Sequence, residues 1–379
     1  MRQDKQNGRE YFPSLAWLRG LAAVLVVVSH SLRCSESLQN YGLPAGNPWL
    51  LSYFDLGTFA VCVFLTLSGA TLYISNSTSS RPFSTCGYLL KRLLRIWPAF
   101  VVSLMVYGLF GIYFRHQWHE TILTSFTNQY TAPVNVMDAI KYVAMIFNIT
   151  GPGNLFNNAF WTIPVEFQYY LMLPLLLAGM RYLHIAAPIF LGCVMLVISR
   201  SSWASCMDNP KVLMLGFTFC GGVALGCLRS VVRKRASATI SWFFLAAMLL
   251  TAITLTQVPD EVLGNTLIPQ KYISLGILSV ITVGICLFSE LHLQKNAAKL
   301  LSFLGKTSYS LYLYHNLFLG VFVLMIVRFE PVPFMPTAYL AFAFAMSLTL
   351  PTAYLSYRYI EKPAITSGRK LAEKFSGSA

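Results

Sequence analysis

Arg19 and His30 stand eleven positions apart in the apolar stretch LAWLRGLAAVLVVVSHSL, residues 15–32. At about 100° per residue that spacing closes to within roughly 20° of three full helical turns. The guanidinium and the imidazole therefore share one helix face, roughly 16 Å apart along the axis. An arginine inside hydrocarbon costs about 2.5–3.5 kcal/mol on insertion scales, and residues of this kind face a bundle interior or an aqueous cavity. Imidazole moves protons near neutral pH, and the guanidinium fork grips phosphates and carboxylates. The bland alternative is an arginine that snorkels to the headgroups and a histidine that ends the helix.

Few other ionisable groups fall at membrane depth. Of six histidines only His30 and His315 lie within apolar runs, and the two sit on runs distant in the chain. Glu166, in FWTIPVEFQYYLMLPLLL, is the acid best placed inside a span, whereas Asp55 and Glu290 fall at span ends. A carboxylate just after Pro164 is also favoured by the helix dipole alone. Glu166 and His30 come out at similar depth, which makes them a candidate acid–base pair. In KRLLRIWPAF, Arg92 and Arg95 are three apart and so neighbours on one face, suited to a phosphate. The same pair also reads as an ordinary positive anchor at a membrane surface. In LGKTSYSLYLYHNLF, Ser308, Tyr312 and His315 align a hydroxyl, a phenol and an imidazole along one stripe. An interfacial aromatic belt explains the tyrosine but not the histidine.

These groups must be carried by membrane helices. The 379 residues are 56% hydrophobic and 11% charged, with a mean hydropathy of +0.58. A soluble domain carries roughly a quarter charged residues. Apolar runs long enough to cross a bilayer predict spans at 13–32, 54–74, 96–115, 160–179, 183–199, 210–228, 239–256, 272–290, 307–327 and 337–358. The segment 137–149 carries Asp138 and Lys141 and reads as an amphipathic interfacial or re-entrant helix. The expectation is an all-α polytopic bundle of about ten transmembrane helices in one domain, 1–379, with tails 1–12 and 359–379.

The net charge of +14 is not a nucleic-acid signature, because Lys and Arg cluster in short loops between apolar runs. With both termini cytoplasmic, about three quarters of the 28 basic residues fall on the cytoplasmic side. The polar run NITGPGNLFNNAF then ends the longest outer segment, 116–159, the natural place for an outer substrate. The eight cysteines form no C-x-x-C pair; most sit in apolar runs, and Cys34 and Cys206 fall in outer loops where spacing leaves a disulfide open. No H-x-x-x-H or H-E-x-x-H pattern suggests a metal, and no G-x-S-x-G or phosphate-cradling glycine loop is present.

The motifs occur in an order that resembles acyltransferase family 3, membrane proteins that O-acylate cell-surface glycans. LRGLAAVLVVVSH resembles the first-helix signature of the family, and Phe64, Ser68 and Gly69 of VFLTLSGATL its second-helix block. RLLR (92–95), FWTIPVEFQYYLMLPLL, LGKTSYSLYLYHNLF and YRYIEKPA (357–364) resemble the blocks that follow. Thr162 and Pro164 stand where serines are usual, and Phe167 where a second acid is frequent. The resemblance implies a cytosolic acyl-CoA donor, commonly acetyl-CoA, used as a substrate with no permanently bound cofactor. Arg92, Arg95 and Arg19 would hold its phosphates, and His30 with Glu166 would be catalytic. Ser68, Trp161, Tyr312 and His315 would line the substrate cavity. It further implies a glycan or lipid-linked saccharide acceptor and a multi-pass protein of the bacterial cytoplasmic membrane. The chain stops soon after the tenth span, so the extracytoplasmic hydrolase-like domain of some members is not expected. Two rival readings are a permease with a His30–Glu166–His315 proton relay and a membrane-bound O-acyltransferase of another family.

Overall fold

The computed structural model describes residues 12–40, 56–77, 83–117, 129, 132–201, 204, 207, 211–232, 236–258, 270–329 and 337–376. These form an all-α, polytopic membrane protein with no strand among the described residues. The helices are α1 (Pro13–Asn40), α2 (Gly57–Ser77), α3 (Thr85–Gln117), α4 (Val136–Val143), α5 (Thr162–Leu183) and α6 (Ala186–Ile198). They continue as α7 (Gly216–Val231), α8 (Ala238–Gln257), α9 (Gln270–Phe288), α10 (Lys295–Phe329), α11 (Thr337–Ser356) and α12 (Lys362–Ser376). Nine helical segments among the described residues are long and apolar enough to cross a membrane. The expected span left out of these nine, 183–199, is the 13-residue α6. At 1.5 Å per residue it covers about 20 Å, less than a hydrocarbon core of about 30 Å.

Two glycine-mediated crossings set the centre of the bundle. A Cβ at Gly20 would lie 2.5 Å from the Leu301 carbonyl oxygen, and one at Gly305 would collide with the Ala16 carbonyl. Glycine on both sides thus lets the α1 and α10 backbones touch. Gly69 of α2 and Gly222 of α7 make the reciprocal arrangement, each facing backbone of the other helix at Phe219 and Thr66. In lipid, where no hydrophobic drive joins helices, such small-residue contacts are what packs them. By contrast α8 turns Phe243, Phe244 and Leu250 outward, as a lipid-facing helix should.

Two segments differ from expectation and one agrees with it. The segment 137–149 is too short to span, as expected of an interfacial helix: α4 has eight residues, about 12 Å long, and exposes Val136, Met137 and Ile140 while burying Tyr142. Its Asp138 and Lys141 pair with each other at 3.4 Å. Cys34 is not in a loop, because α1 runs on to Asn40 and buries that thiol; Cys206, Asp55 and His119 lie outside the described residues. Residues after 358 are not a free tail either. A π-helical turn, Tyr357–Glu361, leads into α12, which packs against α3. Glu361 is buried and accepts a hydrogen bond from Ser310 Oγ at 3.1 Å.

Candidate functional site: two cavities that meet at Tyr312

The ionisable residues singled out in the sequence gather along α1. At one level Arg19 joins Arg92 and Arg95 of α3 around a cavity of about 250 Å³, which Glu166, Ser68, Tyr170 and Tyr312 also line. The i, i+3 spacing of Arg92 and Arg95 turns both into this cavity, and α1 brings Arg19 to the same place. Arg92 is braced between aromatic rings, its Cζ 5.8 Å from the centre of Tyr88 and 5.7 Å from that of Tyr170. Its Nε finds no hydrogen-bond partner among the described residues. Glu166 is the one carboxylate among the described lining residues. It accepts from Ser68 Oγ at 3.0 Å and from the Tyr170 hydroxyl. No ion pair within 4.0 Å joins it to an arginine among the described residues. Three guanidiniums against one carboxylate leave this cavity cationic.

The local sequence explains why Glu166 sits there. A 3-10 turn, Asn158–Trp161, feeds α5, and Pro164 falls in its first turn, where no backbone N–H is needed. Gln168 and Asn148 exchange a pair of amide hydrogen bonds, at 3.1 and 3.0 Å, that tie α5 to the short helix Phe147–Thr150. Thr162 in place of serine keeps the hydroxyl chemistry, donating to the Tyr312 hydroxyl at 2.7 Å.

His30 lies further along α1, in a separate cavity of about 470 Å³. The two histidines that the sequence places on distant runs meet beside it, with ring centroids 5.0 Å apart, but His315 is fully buried and, against expectation, is not among the described residues that line either cavity. This corrects the reading of them as separate. The expected His30–Glu166 pair does not form, since Glu166 bonds Ser68 and Tyr170 and lines the arginine cavity. His315 Nδ1 is 2.7 Å from the Tyr312 carbonyl, which can only accept, so Nδ1 carries the proton and Nε2 presents its lone pair. Neither His315 Nε2 nor His30 Nδ1 has a partner among the described residues.

Tyr312 lines both cavities, as does Val61. The Tyr312 hydroxyl donates to the Ala159 carbonyl and accepts from Thr162, which clamps the ring as a wall between the two spaces. Behind it, Asn157 bonds the Tyr107 hydroxyl at 3.0 Å, and Asn316 bonds Asn157 and Asn158 at 2.7 and 3.0 Å. This amide network fixes the Asn-rich run against α10, and Gly153, Asn154 and Asn158 thereby line the His30 cavity. Trp161 lines it too, beneath the Lys211 ammonium at 4.2 Å. Sequence reasoning missed Lys211, Tyr272 and Arg33, which also line it. Arg33 carried a signal, three residues after His30 on the same face. Lys211 and Tyr272 arrive from remote helices and carried none.

No solved structure matches the chain. An O-acetyl transferase of Shigella phage Sf6 is 29% identical over 206 residues, covering 52% of this chain and 54% of that protein. O-acetyltransferase OatA of Staphylococcus aureus is 24% identical over 401 residues, covering 97% of this chain and 60% of its own length. The chain thus spans little more than half the length of the relatives it matches. The acyltransferase-domain family model (Acyl_transf_3) matches residues 12–356, and the chain belongs to acyltransferase family 3.

Proposed function

We propose that the protein is a membrane O-acyltransferase. It moves an acyl group, acetyl being the first to test, from cytosolic acyl-CoA to a hydroxyl of a glycan or glycolipid on the outer side of a bacterial cytoplasmic membrane. The observation that supports this reading is the meeting of a triple-arginine cavity and a cavity lined by His30 at one residue, Tyr312. A CoA polyanion suits Arg19, Arg92 and Arg95, whose charge-assisted hydrogen bonds to phosphate are the strong kind. The roughly 16 Å of α1 between Arg19 and His30 gives the pantetheine arm its path. Both termini are cytoplasmic in this scheme, which puts the arginines at the donor side.

At the wall between the cavities an imidazole of the His30–His315 pair takes the proton of the acceptor hydroxyl. The hydroxyl oxygen attacks the thioester carbonyl carbon, the C–S bond breaks, and the CoA thiolate leaves and recovers a proton. His30 is the imidazole that lines the acceptor cavity, and His315, with its Nε2 lone pair, faces it from α10. Glu166 balances the arginines and is positioned by Ser68 and Tyr170; in this scheme it acts at the donor end.

The test is binding and turnover of acetyl-CoA and succinyl-CoA by the purified protein in nanodiscs. Arg92→Ala/Arg95→Ala should weaken acyl-CoA binding by about 100-fold or more, since each charged hydrogen bond lost is worth about 1.5–3 kcal/mol. His30→Ala should bind acyl-CoA as the wild type does and lose acyl transfer. A wild type that binds no acyl-CoA, or a double variant that binds it normally, overturns the reading.

A further inference from the structure

We propose that Glu361 is a positioning residue of the donor site. Its buried carboxylate stands behind Arg95 as a counter-charge, leaves the guanidinium donors free for phosphate, and limits how tightly they hold it. This rests on the acyltransferase reading and adds to its donor end the group that sets the strength of the arginine grip.

Three contacts place the carboxylate. Glu361 closes the π-helical turn Tyr357–Glu361, is 2% exposed, and accepts from Ser310 Oγ of α10 at 3.1 Å. Tyr309, beside Ser310, lines the arginine cavity and donates its hydroxyl to the carbonyl of Ile96, the neighbour of Arg95, at 2.9 Å. Beyond the turn, α12 lies against α3 next to the same arginine, where a Cβ at Gly368 would meet Leu94 Cβ at 3.2 Å and Lys91 Cα at 3.5 Å. Arg95 lines the cavity and Glu361 does not, so the carboxylate sits behind the guanidinium and out of the donor's way.

Charge acts across that gap. Of the described carboxylates Glu361 attracts Arg95 most strongly, ahead of Glu166, and its charge reaches Arg19 too. Yet no ion pair within 4.0 Å and no hydrogen bond joins Glu361 to an arginine among the described residues. A buried guanidinium needs an unlike charge nearby. A carboxylate that forked onto it would also occupy the N–H groups that phosphate requires. Glu361, set beyond hydrogen-bond reach and held there by Ser310, supplies the charge and leaves the donors free. Arg19, Arg92 and Arg95 against Glu166 and Glu361 carry one excess positive charge, and neutralising Glu361 leaves two. The donor phosphates are then held more tightly. CoA also leaves more slowly after transfer, because affinity changes within one site fall mainly on the off-rate.

The experiment uses the full chain in nanodiscs, with CoA binding read by titration calorimetry and acetyl-CoA turnover by release of the free thiol. Glu361→Gln keeps an acceptor for Ser310 and removes the charge, so it should tighten CoA binding on the order of tenfold and lower kcat. Glu361→Asp keeps the charge and should bind CoA as the wild type does. Ser310→Ala keeps the charge and loses the bond, so it should unfold at a lower temperature without binding CoA more tightly. A glutamate that only braced the turn would make Glu361→Gln and Ser310→Ala behave alike. Should Glu361→Gln not fold, Arg95→Gln/Glu361→Gln, which removes both charges together, should be more stable than either single variant.

CoA affinity in Glu361→Gln equal to or below that of the wild type overturns the inference. Equal tightening by Ser310→Ala, or a double variant no more stable than the single ones, overturns it as well. In each of those outcomes the wild type still binds CoA and the acyltransferase reading stands. A wild type that binds no CoA defeats that reading itself.

Discussion

Gly20→Ala probes the crossing on which both cavities depend. The new methyl would start 2.5 Å from the Leu301 carbonyl oxygen and 3.0 Å from Gly305 N, both backbone atoms that cannot rotate away. Restoring an ordinary 3.4 Å contact needs α1 and α10 to part by about 0.9 Å at this level. Overpacking costs about 1–3 kcal/mol, and the helix propensity of alanine over glycine returns about 1 kcal/mol. The net loss of stability is therefore about 0–2 kcal/mol. The effect on turnover should be larger, because Arg19 and His30 ride on α1 while Tyr312 and His315 ride on α10. A misplacement of about 1 Å between reacting groups can cost on the order of 100-fold. The assay is acyl-CoA turnover with thermal unfolding in the same detergent, beside Gly179→Ala as control. There the methyl would meet only Ala187 Cβ at 3.9 Å, so that variant should be as stable as the wild type or more so. If Gly20→Ala behaves like Gly179→Ala in both measurements, the close backbone crossing does not position the site.

His315→Asn keeps a donor for the Tyr312 carbonyl but removes the Nε2 lone pair, so acyl transfer should fall at least 100-fold while acyl-CoA binding holds. Tyr312→Phe loses the bond from Thr162 and leaves the Ala159 carbonyl without its phenol donor, which should cost about 1–3 kcal/mol in thermal unfolding. Glu361→Ala breaks the Ser356–Ser310–Glu361 chain of hydrogen bonds, both 3.1 Å long, and should destabilise by about 1.5–3 kcal/mol, with Glu361→Gln milder. Acyl-CoA binding should weaken as ionic strength rises, less steeply in Arg92→Ala than in the wild type, as titration calorimetry would show.

Helix-period arithmetic was enough to align Arg19 with His30 and Arg92 with Arg95, because partners on one helix obey a fixed 3.6-residue repeat. The joining of His30 to His315 was not legible. It depends on how α1 crosses α10, and that crossing is set by Gly20 and Gly305, whose only signal is a missing side chain. Depth along the membrane normal likewise suggested Glu166 as a partner for His30. Depth has no azimuth, and the rotation of α5 turns that carboxylate to Ser68 and the arginines. Helix lengths were underestimated where polar residues continue a span. Lys295–Leu304 extend α10 although they lack membrane hydropathy; most of them are exposed, and Leu301, Ser302 and Leu304 meet α1 at Gly20 and Trp17. The Asn-rich run was recognisable as polar surface, but its lock onto Asn316 was not.

The shared wall at Tyr312 has an electrical consequence. With the two cavities open to opposite faces, as proposed, water and counter-ions fill each of them, and a transmembrane voltage drops mainly across the thin layer at Tyr312 and Val61. A full elementary charge moved through that layer exchanges about 2.3 kcal/mol per 100 mV with the field. An acyl group is neutral and crosses without coupling to the voltage, whereas the phosphates gripped by the arginines never enter the layer. A proton relayed between the two imidazoles would sense it. Turnover of the reconstituted protein should therefore be insensitive to membrane potential when acyl passage limits the rate, and voltage-dependent when proton transfer does.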